Sequence, residues 1–144
     1  MSDLKSSIQL LRQVPLFAGV TENHLKKLSK RLVKREYEEG QVIIAQGKGG
    51  EGLFVIFEGT AKAVRTQPDG QEIVVNEFDA TDYFGELALL DEGLRTASVI
   101  ATSKIACFVL TSWDLKGILR EEPELAIKMI EDLAARFRKA LEIL

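Results

Sequence analysis

The sequence is poor in the residues that carry most enzymatic and metal chemistry. It holds one cysteine, Cys107, and one histidine, His24. A single cysteine closes no internal disulfide, which fits a reducing compartment. One imidazole and one thiol do not make a metal site rich in either, and no Cys–His nucleophile pair is expected. A carboxylate-only site stays open, although no spacing argues for one. A phosphodiesterase or cyclase needs His/Asp metal clusters that this chain lacks, so no enzyme activity, cofactor or metal is expected. Cys107 sits in KIACFVL and reads as a buried structural thiol. His24 lies on ENHLKKL, off its leucine face, and reads as a solvated surface histidine. No stretch approaches the ~18 to 20 continuous apolar residues of a membrane span. The start MSDLKSSIQL has no signal-peptide pattern. Long basic runs are missing and the net charge is −3, so nonspecific nucleic-acid binding has little electrostatic footing. The expectation is a soluble cytoplasmic protein with neither nucleic acid nor membrane as partner.

What is present suffices for one domain. The chain has 144 residues, 46% of them hydrophobic, enough for a packed core. Ser2–Gln13 is amphipathic, and VPLFAGV interrupts it. Thr21 reads as the N-cap of ENHLKKLSKRLV, where Leu25, Leu28 and Leu32 recur at helical spacing. From Val33 the period changes. VKREY, QVIIA, LFVIFEG, TAKAVRTQ, EIVVNEF, TASVIA and KIACFVL read as strands, separated by EEG at 38–40, GKGGEG at 47–52 and PDG at 68–70. Short strands between glycine-rich turns predict a mainly β protein, an antiparallel jelly roll (double-stranded β-helix). The segment GELALL, poor in β-branched residues, reads as a short helix inside it. Thr111 caps SWDLKGILR, and Pro123 opens a last helix in which Ala126, Ile130, Leu133, Phe137, Ala140 and Leu144 form an a/d-like seam. That seam packs on its own domain or on a second copy. Trp113 and the stripe Leu53, Val55, Phe57 read as core. The expected layout is a single domain over 1–144: helices over 1–32, the jelly roll over 33–110, and hinge and lid helices over 111–144.

One motif match fails on its context. GKGGEG satisfies G-x-G-x-x-G, but a dinucleotide site needs a helix next and LFVIFEGT is a strand. It reads as a hairpin turn. A jelly-roll metal enzyme fails as well, for want of histidines.

The stretch FGELALLDEGLRTASV is different. Gly85 permits close backbone approach, and GELALL opens a short helix whose first N–H groups lack intrahelical partners, a ready anion site. Arg95, after the turn DEGL, offers a planar fork of donors suited to phosphate oxygens, each bond worth roughly 1.5–3 kcal/mol. Between Glu77 and Ile100 Arg95 faces Glu77, Asp79, Asp82, Glu86, Asp91 and Glu92 as the one cation. Such a stretch would not hold anions in general. Glu86 makes sense beside a phosphate if the ligand also carries a hydroxyl, as a ribose phosphate does. The alternative is an ordinary ion pair of Arg95 with Glu86, Asp91 or Glu92, leaving a non-binding scaffold.

The segment resembles the phosphate-binding cassette of cyclic nucleotide-binding domains, approximately F-G-E-[LM]-A-L, a short turn, then R-[ATS]-A. Phe84, Gly85, Glu86, Leu87, Ala88 and Leu89, then Arg95, Thr96 and Ala97, supply it across 84–97. VPLFAGVTENHLKKL resembles the family's opening segment. EGQVIIAQGKGGEGLFVIFEGTAKA, with Gly40, Gly47 and Gly59, resembles its early strands. The likeness spans roughly residues 14–140. It implies that Glu86 accepts the ribose 2′-hydroxyl and Arg95 pairs with the exocyclic phosphate oxygens. Backbone amides around Leu87, Ala88 and Ala97 would complete the cradle, with Thr96 at the phosphate or a guanine amino group. Val75 would pack on the base, and Arg136 or Phe137 on the last helix would cap it. The ligand implied is cAMP, favoured, or cGMP, and the role is a sensor whose last helix closes over the base. No effector segment is legible in these residues. Action through a homodimer or a separate effector on the C-terminal helix is expected, unless this is an excised regulatory domain. The Met-Ser-Asp start suits a native N-terminus, and the helical end at Leu144 is compatible with truncation.

Overall fold

At Val33 the hydrophobic period switches from helical to alternating, and there the backbone of the computed structural model turns from helix to strand. The structure describes residues 2–47, 52–85 and 97–143. Within them the strands are β1 (Val33–Tyr37), β2 (Val42–Ile44), β3 (Gly52–Glu58), β4 (Ala61–Thr66), β5 (Glu72–Phe78), β6 (Tyr83–Phe84), β7 (Ser98–Ala101) and β8 (Ile105–Thr111). They form two four-stranded sheets, ordered β1-β8-β3-β6 and β2-β7-β4-β5, with every ladder antiparallel. This is the jelly-roll class that the strand pattern predicts. The two-residue β6 was not legible as a strand, being too short for a period to show.

Residues 31–115 make one unit, and both sheets feed its core. Phe54, Ile56, Phe84, Ile105, Cys107 and Val109 come from one sheet, and Ile44, Ala61, Ala63, Phe78, Val99 and Ala101 from the other. Full burial of a large apolar side chain contributes roughly 1.5–3 kcal/mol, so this cluster dominates the unit's stability. Burial also pushes the Cys107 thiol up to about 12, which makes it inert, as expected of a structural thiol. The second and third strands of the first sheet, β8 and β3, are buried on both faces, with Leu53, Val55 and Leu110 on the reverse side. That explains why LFVIF and CFVL read as continuous apolar runs. Phe57, expected in the same core stripe, is 37% exposed and packs edge-on against Phe108. Trp113 corrects the sequence reading outright: it is 84% exposed, because Thr111 starts the next helix, whose first turn buries Leu115 and turns Trp113 to solvent. The β3–β4 corner requires Gly59, whose φ is +98° and whose missing Cβ would meet the backbone of Lys104 and Ile105.

The second unit comprises Met1–Lys30 with Lys116–Leu144. Its helices are α1 (Ser2–Gln13), a 3₁₀ turn (Pro15–Phe17), α2 (Glu22–Arg31), the end of α3 (Ser112–Glu121), and α4 (Pro123–Ile143). The expected caps are present. Thr21 Oγ1 accepts the His24 N–H at 3.3 Å, and Thr111 Oγ1 accepts the Asp114 N–H at 3.3 Å. Leu10, Leu11, Val14, Phe17, Leu25, Leu28, Ile118, Leu125 and Met129 are buried in this unit. Lys128 Nζ donates to the Pro15 carbonyl at 2.8 Å.

Two expectations change here. On α4 the buried pair is Leu125 and Met129, one position before the seam read from the sequence, while Ile130 and Phe137 are each 65% exposed. The apolar surface of this helix is wider than the seam read from the sequence, and burial takes Leu125 and Met129 beside it. His24 is not a solvated histidine: its side chain is 24% exposed and lies between Glu121 and Glu122. Among the described residues no helix is long and apolar enough to cross a membrane.

Candidate functional site

The phosphate-cassette reading falls on a segment whose two ends are described. Glu86, Leu87, Ala88, Arg95 and Thr96, with the short helix expected there, lie outside the described residues. Gly85 and Ala97 flank them. Gly85 leaves β6 at φ +96°, in the left-handed region that favours glycine, as the expected close backbone approach would need. Ahead of it, Tyr83 pairs with Val55 and Phe84 with Phe54. The corner leading into β6 is fixed by Asp82: its carboxylate accepts the Asp79 N–H at 2.8 Å, and its own carbonyl accepts the Ile56 N–H at 2.9 Å. One of the six acids counted around Arg95 is therefore committed to a turn.

Ala97, half-buried, packs against the core of the other sheet just before β7, between β2 and β4. Next to it the Ser98 hydroxyl accepts the Gln46 N–H at 2.9 Å. The Gln46 side chain then bridges to Thr66, accepting from its N–H at 2.8 Å and donating to its carbonyl at 3.2 Å. Gln46 thus ties the start of the GKGGEG turn to the end of β4 beside Ala97. No sequence signal marked it, since a glutamine before a glycine turn has many uses. The turn reading agrees with β3 starting at Gly52, and residues 48–51 lie outside the described residues.

Val75 lies on β5, the edge of its sheet, and is 45% exposed. The ladder pairs Ala63 with Asn76 and Val64 with Val74, so Val75 is the extra residue of a β-bulge. A bulge re-aims a side chain out of the regular alternation, and Ile73, Val74 and Val75 all reach solvent. Gly85, Ala97 and Val75 belong to the jelly-roll unit. Arg136, half-buried, and Phe137 sit on α4 in the helical unit. Among the described residues no group of three or more His, Cys, Asp or Glu side chains is arranged to hold a metal ion.

Comparison with known proteins supports the family that the sequence resembles. The family model described as cyclic nucleotide-binding domain matches residues 34–122. A CRP-like cAMP-activated global transcriptional regulator of Mycobacterium tuberculosis is 28% identical over 131 residues, covering 91% of this chain and 58% of the regulator. Isozyme 1 of the cGMP-dependent protein kinase of Drosophila melanogaster is 35% identical over 130 residues, 87% of this chain and 17% of the kinase. The regulatory subunit of a cAMP-independent protein kinase A from Trypanosoma cruzi, bound to guanosine, superposes with a TM-score of 0.84 at 26% identity, covering 99% of this chain and 50% of that one. The chain thus spans about half the length of such relatives, or less. With a transcriptional regulator among them, the expectation that nucleic acid is no partner is not supported.

Proposed function

This chain belongs to the cyclic nucleotide-binding domain family, and on that premise we propose that it is a reversible nucleotide sensor that performs no chemistry. The ligand is cAMP, with cGMP the second choice. Arg95 pairs with the exocyclic phosphate oxygens, and the amides of Leu87, Ala88 and Ala97 complete the cradle. Glu86 accepts from the ribose 2′-hydroxyl, Thr96 reaches the phosphate or base, and Val75 packs on the base with Arg136 or Phe137 as the cap. The observation that carries the reading is the FGELAL…RTA cassette inside the matched region, with Gly85 held at φ +96° directly after Phe84.

Binding closes α4 over the base, and a ligand shifts that population only by its differential affinity for the closed form. The output surface is then the exposed face of α4, where Ile127, Ile130 and Leu141 are 47–65% exposed, joined by Phe137 where Arg136 is the cap. Its partner is a second copy or a separate effector.

The guanosine-bound trypanosome relative favours one second reading, a nucleoside sensor with no phosphate requirement. Isothermal calorimetry with cAMP, cGMP and guanosine separates the cases. Saturable binding of a cyclic nucleotide in preference to guanosine is expected. Preference for guanosine supports the second reading, and no binding by any of the three leaves an interaction scaffold.

A further inference from the structure

We propose that the outer face of the β1-β8-β3 sheet, at the end where β8 begins, docks a second copy of this chain across a twofold axis. Ile105, Cys107 and Val109 enter the core, so by strand alternation Lys104, Ala106 and Phe108 point the other way. The ladders set Glu36 of β1 and Glu58 of β3 on either side of Ala106. Ala106 offers only a methyl group, so the surface drops between the two longer side chains. The result is a groove of about 230 Å³ lined by Lys34, Glu36, Glu58, Lys104, Ile105 and Ala106. All four charged residues are exposed, and the groove lies within the jelly-roll unit. On the same face Phe108 meets the ring of Phe57 edge-on, and Phe57 is 37% exposed.

Charge decides what this groove takes. Lys34 is already engaged: its Nζ is 3.7 Å from Glu36 and 5.8 Å from the centre of the Phe57 ring. Glu58 and Lys104 remain, and neither has an ion-pair partner among the described residues. A simple anion would answer Lys104 and be repelled by Glu58, and a simple cation the reverse. A partner that presents one charge of each sign satisfies both.

The groove's own twofold image is such a partner. Lys104 of one copy meets Glu58 of the other, and symmetry forms the reciprocal pair. The methylene stem of the incoming lysine lies over Ala106 while its ammonium reaches the carboxylate. A single surface pair contributes little, but here each pair is made twice and loses water on docking. The surface uses no residue of α4 and none of the cassette, so the inference does not rest on the sensor reading.

The test is sedimentation velocity of the nucleotide-free chain over a concentration series, with folding of each variant checked by circular dichroism. The wild type is expected to dimerise, and more weakly as added salt screens the charges. Glu58→Lys and Lys104→Glu each bring like charges together twice and are expected to raise the dissociation constant at least about tenfold. The two variants are complementary to each other, so an equimolar mixture is expected to regain a dimer. The double variant Glu58→Lys/Lys104→Glu is expected to dimerise as well. A monomer at every concentration overturns the proposal. So does a dimer that neither reversal weakens, which would use another surface such as the exposed face of α4. A mixture that stays monomeric shows that the two residues do not meet, and overturns it too.

Discussion

Phe54 and Phe84 are direct partners across the β3–β6 ladder, their rings 5.1 Å apart and 6° from parallel. Phe84 also meets Phe78 at 5.3 Å, so the residue that opens the cassette is an anchor in the core. The chain leaves that anchor straight into Gly85.

Truncating the anchor removes the stack and opens a cavity. Phe84→Ala is expected to cost about 3–5 kcal/mol of unfolding free energy, and Phe84→Leu clearly less. Urea denaturation measures both. A loss under about 1 kcal/mol for Phe84→Ala would show that β6 is not held by this packing.

Gly85 tests the backbone instead. At φ +96° a Cβ is strained, so Gly85→Ala is expected to cost about 1–2 kcal/mol. Denaturation midpoints for Gly85→Ala and a control at helical Gly117, where an added Cβ meets nothing within 4 Å, separate strain from the general effect of adding a methyl group. Equal behaviour of the two would place no special demand on Gly85.

Cys107 gives a pH prediction. Burial raises its thiol pKa from the ordinary 9.0 to about 12 on folding, so the folded state resists ionisation. This contribution is fully present below pH 9.0 and is lost as pH climbs toward 12, because only the unfolded chain releases the proton there. Wild type should lose up to about 1.4 kcal/mol per pH unit more than Cys107→Ala across that window. Parallel stability–pH curves for the two proteins would contradict the burial of this thiol.

The two sides of α4 should respond differently. Ile130→Glu and Phe137→Glu fall on exposed positions and should change stability by less than about 0.5 kcal/mol. Met129→Ala, at a residue 2% exposed, is expected to cost about 2–5 kcal/mol. Thermal unfolding of the three variants decides it, and a large loss for the first two would mean that the exposed face is covered.

Strand periodicity and caps were the most legible features. VKREY and EIVVNEF match β1 and β5 end to end, and Thr21 and Thr111 cap where their hydroxyls can meet free N–H groups. Side-chain burial was less legible. Trp113 follows a buried strand but belongs to a helix start, and a large ring does not reveal which way its first turn faces. On α4 two apolar stripes share one helix, and periodicity does not tell which of them meets the rest of the fold. His24 was misread because its partners, Glu121 and Glu122, are about a hundred residues away in sequence. Of the site, the cassette was legible as a motif. Gln46 was not, since its two bonds to Thr66 arise only when β2 and β4 are brought together in one sheet.

The phosphate role of Arg95 has its own measurement. Arg95→Leu is expected to weaken cAMP binding by at least the roughly 1.5–3 kcal/mol of one charge-assisted bond, about 10- to 100-fold, with the fold intact by circular dichroism. Glu86→Gln should weaken it less, because an amide oxygen still accepts from the ribose hydroxyl. An unchanged dissociation constant for Arg95→Leu removes that residue from the site.

The most direct test of the sensor is a crystal structure grown with saturating cAMP. The account predicts the cyclic phosphate between the Arg95 guanidinium and the amides of Leu87, Ala88 and Ala97, with the ribose hydroxyl on Glu86. A vacant cassette in which Arg95 is bound to Asp91, Glu92 or Glu86 would contradict it.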